Sequence, residues 1–504
     1  MGWQMNRSKA LLVVLLVAVL SQVACSGPKT QCTVNCVQNG SATVSATLAA
    51  VPFTPPPGTN ILSFAVTLNG IFLTPANGGS NVNIPLNATT YVVDLTKLQS
   101  DSAFLGQVLA SVPAATYNKI TVGVSAVVVT YCTQTSPGTA GCTAGTVAQV
   151  TQAASIPATS SFSLTLASNQ KTGVQIQFNF ANAITTQLQV VSKVDLNAAN
   201  VLTASALAPT PTTSSLPTGQ LDFVEDVTGV VTAATSTSVT VRTATHGSIT
   251  ATANSSTFFS PNCTSFSLPT TIGCAKVNQI ASIDVTLGAD GTFTLLDYDP
   301  LDASATDWIE GVVTSVPSSS TQFQIVANDL FQPTSGSLVG ANLALGSPVT
   351  VNLGTSAAFG VDSKGLLVPA EATTFSGSND TSVLRPGQTV AVRVSTFTAA
   401  AGAALASATV NFVGLRFTRV SGSVFAVGAP ANVSIQSLPP FFGGTTTAEI
   451  AQLNTAAAPS SAPTNYDGVS DGTGLTVGDT ISIRALYFGP NSAMPFTCAK
   501  VRKH

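Results

Sequence analysis

Apolar and polar positions alternate with a period of two along most of this chain. Ile61-Leu-Ser-Phe-Ala-Val-Thr-Leu-Asn-Gly70 alternates up to an Asn-Gly turn signal, and Ile120-Thr-Val-Gly-Val-Ser-Ala-Val-Val-Val-Thr-Tyr131 and Val174-Gln-Ile-Gln-Phe-Asn-Phe180 repeat the pattern. Successive side chains of a strand point to opposite faces, so this period predicts half-buried β-strands, and Val, Ile and Thr suit such a pleat. Residues 91–106 open as a strand and are expected to end as a short helix. The predicted fold class is all-β.

The pattern is punctuated. Pro209 to Gly219 is rich in Pro, Thr and Ser and reads as a linker, so residues 43–208 form one β-domain. Beyond it the chain echoes itself. Leu384-Arg-Pro-Gly387-Gln-Thr-Val-Ala-Val-Arg393 returns as Leu475-Thr-Val-Gly478-Asp-Thr-Ile-Ser-Ile-Arg484, each a turn glycine leading into a strand. Gly229-Val-Val-Thr, Gly311-Val-Val-Thr and Gly422-Ser-Val recur as repeat openings. Three β-modules follow from this, at 220–303, 304–418 and 419–504, the first without the central turn glycine.

The N-terminus breaks the alternation. Arg7 and Lys9 precede an unbroken apolar run, Ala10 to Leu20, too short to span a bilayer and typical of a secretory signal. Gln22-Val-Ala-Cys25 resembles the bacterial lipobox, whose Cys receives a diacylglycerol thioether; Gln22 stands where an aliphatic residue is usual. The expectation is a signal peptide at 1–24, a lipidated tether at 25–42 beginning with Cys25, and a chain held to the membrane by lipid alone. Ser26-Gly27 carries no acidic inner-membrane retention signal, which favours the outer membrane or cell surface.

Composition narrows the function classes. At 504 residues and 44% hydrophobic the chain has material for several cores, while charged residues are only 8%. A net charge of −3 gives no electrostatic basis for nucleic acid. The one basic run, Lys500, Arg502 and Lys503, reads as a solvated tail. Export favours disulfides, and local spacing suggests Cys132 with Cys142 and Cys263 with Cys274; Cys32 and Cys36 pair with each other or are tether thiols, and Cys498 is left over. With no CxxC pair and only two His, a zinc site is not indicated.

The first domain resembles domain-of-unknown-function family 4382, known from bacterial lipoproteins. The resemblance rests on Val66-Thr-Leu-Asn-Gly-Ile-Phe-Leu-Thr74, Val93-Asp-Leu-Thr-Lys-Leu98 and Val112-Pro-Ala-Ala-Thr-Tyr-Asn-Lys-Ile120; Ala115 stands where that family usually has Gly. It implies a β-sandwich and no known chemistry. The three modules resemble a second uncharacterised family, 5666, of small exported β-barrels.

Candidate chemistry is sparse. Asp297, Asp299 and Asp302, followed by Asp307 and Glu310, place oxygen ligands at alternating positions that suit Ca²⁺, although the loop is not an EF-hand; the alternative is an interdomain loop of solvated charge. Asn465 to Gly472 is a weaker candidate and reads as a turn. Gly468-Val-Ser-Asp-Gly472 has the hydrolase spacing but not the strand-to-helix setting. His246 reads as a surface residue at a hairpin turn, and no cofactor fingerprint is present. Trp308, Tyr298, Tyr466 and Tyr487 are potential sugar-stacking platforms. The expected function is a non-enzymatic envelope lipoprotein, its modules reaching outward, in adhesion, scaffolding, or binding of an envelope glycan or protein. The alternatives are an envelope hydrolase using the 297–310 segment and an accessory subunit of a secretion complex.

Overall fold

The computed structural model describes residues 38–504, apart from 54–58, 134–139, 144, 185–193, 210, 261–273, 318–320, 334–335, 339–340, 342, 429–430, 443–447 and 456–461. Cys25, Cys32, Cys36 and the signal sequence lie outside the described residues, as does Cys263. The fold is all-β, as the period of two predicts.

Nine strands build a two-sheet sandwich: β1 (Gln38–Ala50), β2 (Thr59–Pro75), β3 (Val82–Ile84), β4 (Tyr91–Asp94), β5 (Ala103–Ala114), β6 (Thr116–Thr133), β7 (Ala148–Thr165), β8 (Lys171–Phe178) and β9 (Leu202–Leu207). One sheet runs β5-β1-β8-β9 and the other β3-β2-β6-β7, with β4 on β2. Inward positions of both, such as Val44, Leu48, Phe64, Val66, Val122 and Ile176, share one core. In the Val112–Tyr117 segment the Tyr117 hydroxyl donates to the Pro113 carbonyl at 2.9 Å, closing the corner between β5 and β6. The short helix expected after β4 is only a 3₁₀ turn, Lys97–Gln99. Asp94 starts it by accepting from the Phe64 and Thr96 amides, and residues 103–106 already belong to β5.

The rest of the chain folds as three barrels of one topology. The first uses β10 (Gln220–Ala234), β11 (Ser238–Arg242), β12 (Ser248–Thr252), β13 (Phe258–Phe259), β14 (Ile280–Gly288) and β15 (Phe293–Asp302). The second uses β16 (Trp308–Ser315), β17 (Gln322–Phe331), β18 (Pro348–Val361), β19 (Thr389–Thr398) and β20 (Ala406–Arg416), with a short helix, Ala370–Ser376, before β19. The third uses β21 (Thr418–Gly428), β22 (Asn432–Gln436), β23 (Glu449–Leu453), β24 (Asn465–Asp467), β25 (Thr480–Tyr487) and β26 (Phe496–Lys503). In each, the first strand pairs with the second and the penultimate, the second with the third, and the third runs parallel to the last, which closes on the penultimate. This is the strand order of an OB-type barrel, an architecture that by itself carries no activity.

The echoes noted above have structural causes. Asn278, Gly387 and Gly478 occupy one turn, with φ of 65°, 91° and 93°, and each donates its N–H to a first-strand carbonyl: Val231, Val313 and Val424. That left-handed backbone favours Gly, and Asn is the residue that best replaces it, so the first barrel keeps the turn without the glycine. The next residue, Gln279, Gln388 or Asp479, caps the turn by accepting from the amide three positions earlier. Gly229, Gly311 and Gly422 sit where the first strand crosses closest to the second; a Cβ there would lie 2.1, 2.5 and 2.6 Å from a carbonyl oxygen.

Residues 39–504 form one compact unit. The modules do not reach outward from the sandwich. The Cys132–Cys142 disulfide is present, and its loop rests on the barrels: Gly141 N–H donates to Phe441 and Cys142 N–H to Thr314. Cys274 is also disulfide-bonded. The linker docks on the third barrel through Ser215, whose N–H and hydroxyl donate to the Tyr466 carbonyl and whose hydroxyl accepts from the Tyr466 N–H.

Candidate functional site: an ionic hub between the barrels

Charged side chains are few, and the fold puts them inside. Among the described residues twenty Lys, Arg, Asp and Glu side chains are buried, against the general rule that such groups stay at the surface. Most converge where the sandwich and the three barrels meet. Lys97 of the sandwich reaches Glu310 and Asp329 of the second barrel, both at 3.0 Å, and Asp226 of the first at 3.1 Å. Arg416, 1% exposed, holds Asp226 at 2.5 Å and Glu310 at 2.9 Å and also pairs with Asp362. Arg419 joins Asp101 of the sandwich and Asp226, each at 2.7 Å. Arg502 donates to the Leu98 and Asp101 carbonyls and to the Ser102 hydroxyl, and pairs with Asp467 at 2.8 Å.

Superposing the barrels by pairing register shows how the sequence builds this hub. Thr228, Glu310 and Ser421 directly precede the crossing glycine and face Ser282, Ala391 and Ser482 on the penultimate strand; these in turn face Asp299, Gly414 and Arg502 on the last. On the same face the first barrel carries Asp226, Asp284, Asp297 and Asp299, where the third carries Arg419, Arg484, Lys500 and Arg502. The two barrels therefore present charge-reversed versions of one surface. Two equivalent positions meet directly: Asp284 with Arg484 at 2.6 Å and Asp226 with Arg419 at 2.7 Å. Lys500 adds a fully buried pair with Glu225.

Electrostatics follow from burial against pairing. Burial pushes Asp226 up, but Lys97, Arg416, Arg419 and Arg484 outweigh it and hold it well below the carboxylate range. Asp284 is lowered in the same way by Arg484 and Lys364. Its neighbour Asp297 is raised well above that range by burial and by the Asp284 charge, so of the two Asp297 is the one that takes up a proton first as pH falls. Burial raises Glu225 to about 7 despite Lys500. Removing such charges from water is costly, and their best-attested return is a unique arrangement of parts rather than net stability.

The sequence-predicted residues land as follows. Asp297, Asp299 and Asp302 lie on β15, buried, rather than in a loop of solvated charge. They are not gathered as ligands: Asp297 faces Asp284 and Lys364, Asp299 accepts from Ser260, and Asp302 takes the Thr306 hydroxyl, the Trp308 indole and Arg393. Among the described residues no cluster of three or more His, Cys, Asp or Glu is placed to hold a metal. Lys500 and Arg502 are not a solvated tail; both lie on β26 and are buried against other domains, Lys500 on Glu225 of the first barrel and Arg502 on Leu98, Asp101 and Ser102 of the sandwich. Trp308, Tyr298, Tyr466 and Tyr487 are buried and offer no open stacking platform. His246 is half-buried at its hairpin turn, edge-on to Tyr91 at 5.2 Å. Gly468–Gly472 follows the short β24 as a bend into a single 3₁₀ turn, Gly472–Gly474, capped by Asp471, and not as a strand-to-α-helix elbow. Cys498 is a free, buried thiol, pushed up by burial and so unreactive.

Sequence reasoning missed Lys97, Glu225, Asp226, Arg416, Arg419 and Arg484. The available signal was an ionisable residue inside a β-branched run of a charge-poor chain, as in Ile280-Ala-Ser-Ile-Asp284-Val and Ile481-Ser-Ile-Arg484.

Beside the hub, the first and second barrels enclose a cleft of about 300 Å³, lined by Asp299, Trp308, Asp362, Lys364, Phe412 and Arg416 among others. The fold and the hub together define a sandwich-plus-triple-barrel protein. In comparisons with known proteins, a family model described as a domain of unknown function (DUF4382) matches residues 46–207, about a third of the chain and the whole extent of the sandwich sheets beyond β1's start. No curated protein matches the chain.

Proposed function

We propose that this chain is an exported lipoprotein, anchored through Cys25, that serves as a rigid, non-enzymatic binding scaffold of the cell envelope. The supporting observation is the hub: ionisable groups able to do chemistry are committed to one another across four domains, leaving an exterior of mostly neutral polar side chains for contact with a polymer or protein. The three barrels fit the second uncharacterised family named above, and the outer membrane or cell surface is the proposed location. Among the described residues no helix is long and apolar enough to cross a membrane, so the proposed attachment rests on the lipid.

Residues 26–504 with disulfides intact, immobilised and exposed to envelope extract, are expected to retain a specific glycan or protein saturably, with and without calcium chelator. Conversion of an envelope polymer to products without a retained complex would instead establish the hydrolase alternative. Radiolabelled fatty acid is expected to be incorporated by the full chain and not by Cys25→Ala.

A further inference from the structure

Each barrel's first strand carries the same β-bulge, at Thr232, Thr314 and Phe425, three residues beyond the crossing glycine. The bulge lies beside the residue that precedes the left-handed turn: Val277, Pro386 or Val477. On the second barrel this notch is filled. Gly141 of the disulfide loop is seated in it, so close that a Cβ would lie 2.9 Å from both the Pro386 ring and the Thr314 carbonyl oxygen. The Cys142 N–H donates to that same carbonyl at 3.1 Å, and Thr314 is left 1% exposed. The seat takes a residue without a side chain, at a φ of 88° that favours glycine.

On the third barrel the corresponding notch is open, and its two sides are apolar. Phe425 is 55% exposed and Val477 69%. Ala426, Ser434 and Ile450 face one another across β21, β22 and β23, which puts Ile450, 39% exposed, on the outer row that starts at the bulge. Phe425, Ile450 and Val477 thus form one uncharged patch, and large apolar side chains exposed together mark a contact surface where scattered ones do not. The first barrel has Thr232 in place of Phe425 and lacks the aromatic side. One barrel away, the same notch is already an interface, made by the backbone of a tight turn of small residues. A glycan would meet Ser434 as the one hydrogen-bonding side chain of the outer row, so a protein turn suits this face better.

We propose that the notch between Phe425 and Val477 docks a partner protein through a tight, glycine-bearing turn. A backbone N–H of that turn donates to the Phe425 carbonyl, as Cys142 donates to Thr314, and the Phe425 and Val477 side chains close over it. The proposal rests on the binding-scaffold reading and names the kind of partner and the place it binds.

The occupant of the second barrel supplies the probe. Peptide 132–142, closed by its own disulfide and carrying a fluorophore, is titrated with residues 26–504 and followed by anisotropy. The second barrel is already filled from within the chain, so only open notches can respond. Saturable binding is expected, and Phe425→Ser should weaken it about tenfold or more. Gly141→Ala in the peptide should weaken it as much, because the seat has no room for a Cβ. Phe425 lies outside the core, and thermal melting with near-ultraviolet circular dichroism verifies that its variant folds. No saturable binding up to about 1 mM protein, or binding indifferent to either substitution, would overturn the assignment. Self-association of residues 26–504 that Phe425→Ser abolishes in sedimentation equilibrium would overturn it too, since the occupant would then be a second copy. If envelope extract yields a partner retained equally by the Phe425→Ser variant, the scaffold stands and only this docking site falls. Peptide binding without any retained partner would support the notch and sink the scaffold.

Discussion

Asp284 and Asp297 are adjacent and buried, and their carboxyls are pushed in opposite directions, Asp284 down and Asp297 up; with one shared proton expected between them, the same conservative substitution should have very different costs. Asp284 is the ionised member: it accepts from Arg484 at 2.6 Å, Lys364 at 2.9 Å and the Asp226 amide at 2.6 Å. Asp284→Asn leaves Arg484, 1% exposed, with no other carboxylate within ion-pair distance among the described residues. Breaking a buried pair from one side costs about 3–5 kcal/mol. Here the lower end is expected, because loss of the Asp284 charge lets Asp297 ionise against Lys364. Asp297→Asn replaces a neutral carboxyl by a neutral amide, and about 1 kcal/mol or less is expected, the scale of one altered hydrogen bond. The double variant removes the compensating charge and should cost more than the sum of the singles, a coupling that a double-mutant cycle isolates. Urea unfolding of residues 26–504, followed by far-ultraviolet circular dichroism, reads all three from midpoint and slope. Equal costs for the two single variants would refute the shared proton. Costs below about 1 kcal/mol for both would refute the hub as a coupled element.

The remaining predictions concern charge reversal, turns and acid. Asp284→Arg and Arg484→Asp should each prevent cooperative unfolding or cost more than about 3 kcal/mol, while the double reversal recovers much of the loss; failure of the double to recover would count against direct pairing. Gly478→Ala meets no neighbour and should cost only the backbone strain, about 1 kcal/mol. Gly387→Ala would place its Cβ 2.8 Å from the Phe442 ring and should cost clearly more, measured by the same urea midpoints. Asp226 and Asp284 are held below their ordinary range, so the stability they contribute is present above about pH 4 and lost as pH falls through their lower folded values. Midpoints between neutral pH and about pH 3 should fall accordingly, and Asp226→Asn should flatten that limb while lowering the neutral-pH midpoint.

The strands were legible because one face of each is apolar, and the period of two is visible in any short window. The ten-residue echo was legible because the turn at Gly387 and Gly478 needs a left-handed residue followed by a capping Gln or Asp, a local requirement. The hub was not. Asp284, Arg484 and Lys500 occupy positions that, on a single barrel, point away from its interior, and polar residues at such positions read as solvent-facing. They become interior only when barrels far apart in sequence are laid against each other. The same reason hid the burial of Trp308 and Tyr298, and it made a C-terminal basic run look like a tail.

The order of hub charges along the chain imposes a timetable. Lys97 and Lys364 aside, its cations — Arg416, Arg419, Arg484, Lys500 and Arg502 — all lie beyond residue 415, whereas its acids other than Asp467, namely Asp101, Glu225, Asp226, Asp284, Asp297, Asp299, Glu310, Asp329 and Asp362, precede it. A chain emerging N-terminus first thus exposes its acids long before their counter-charges exist, and the early barrels can close individually but not settle against one another. Among the elements described here β26 comes last in chain order, and its Arg502 fastens onto the sandwich that was made first. A product that stops before β26 would carry every one of these acids and lack the strand whose Lys500 and Arg502 fasten onto the first barrel and the sandwich.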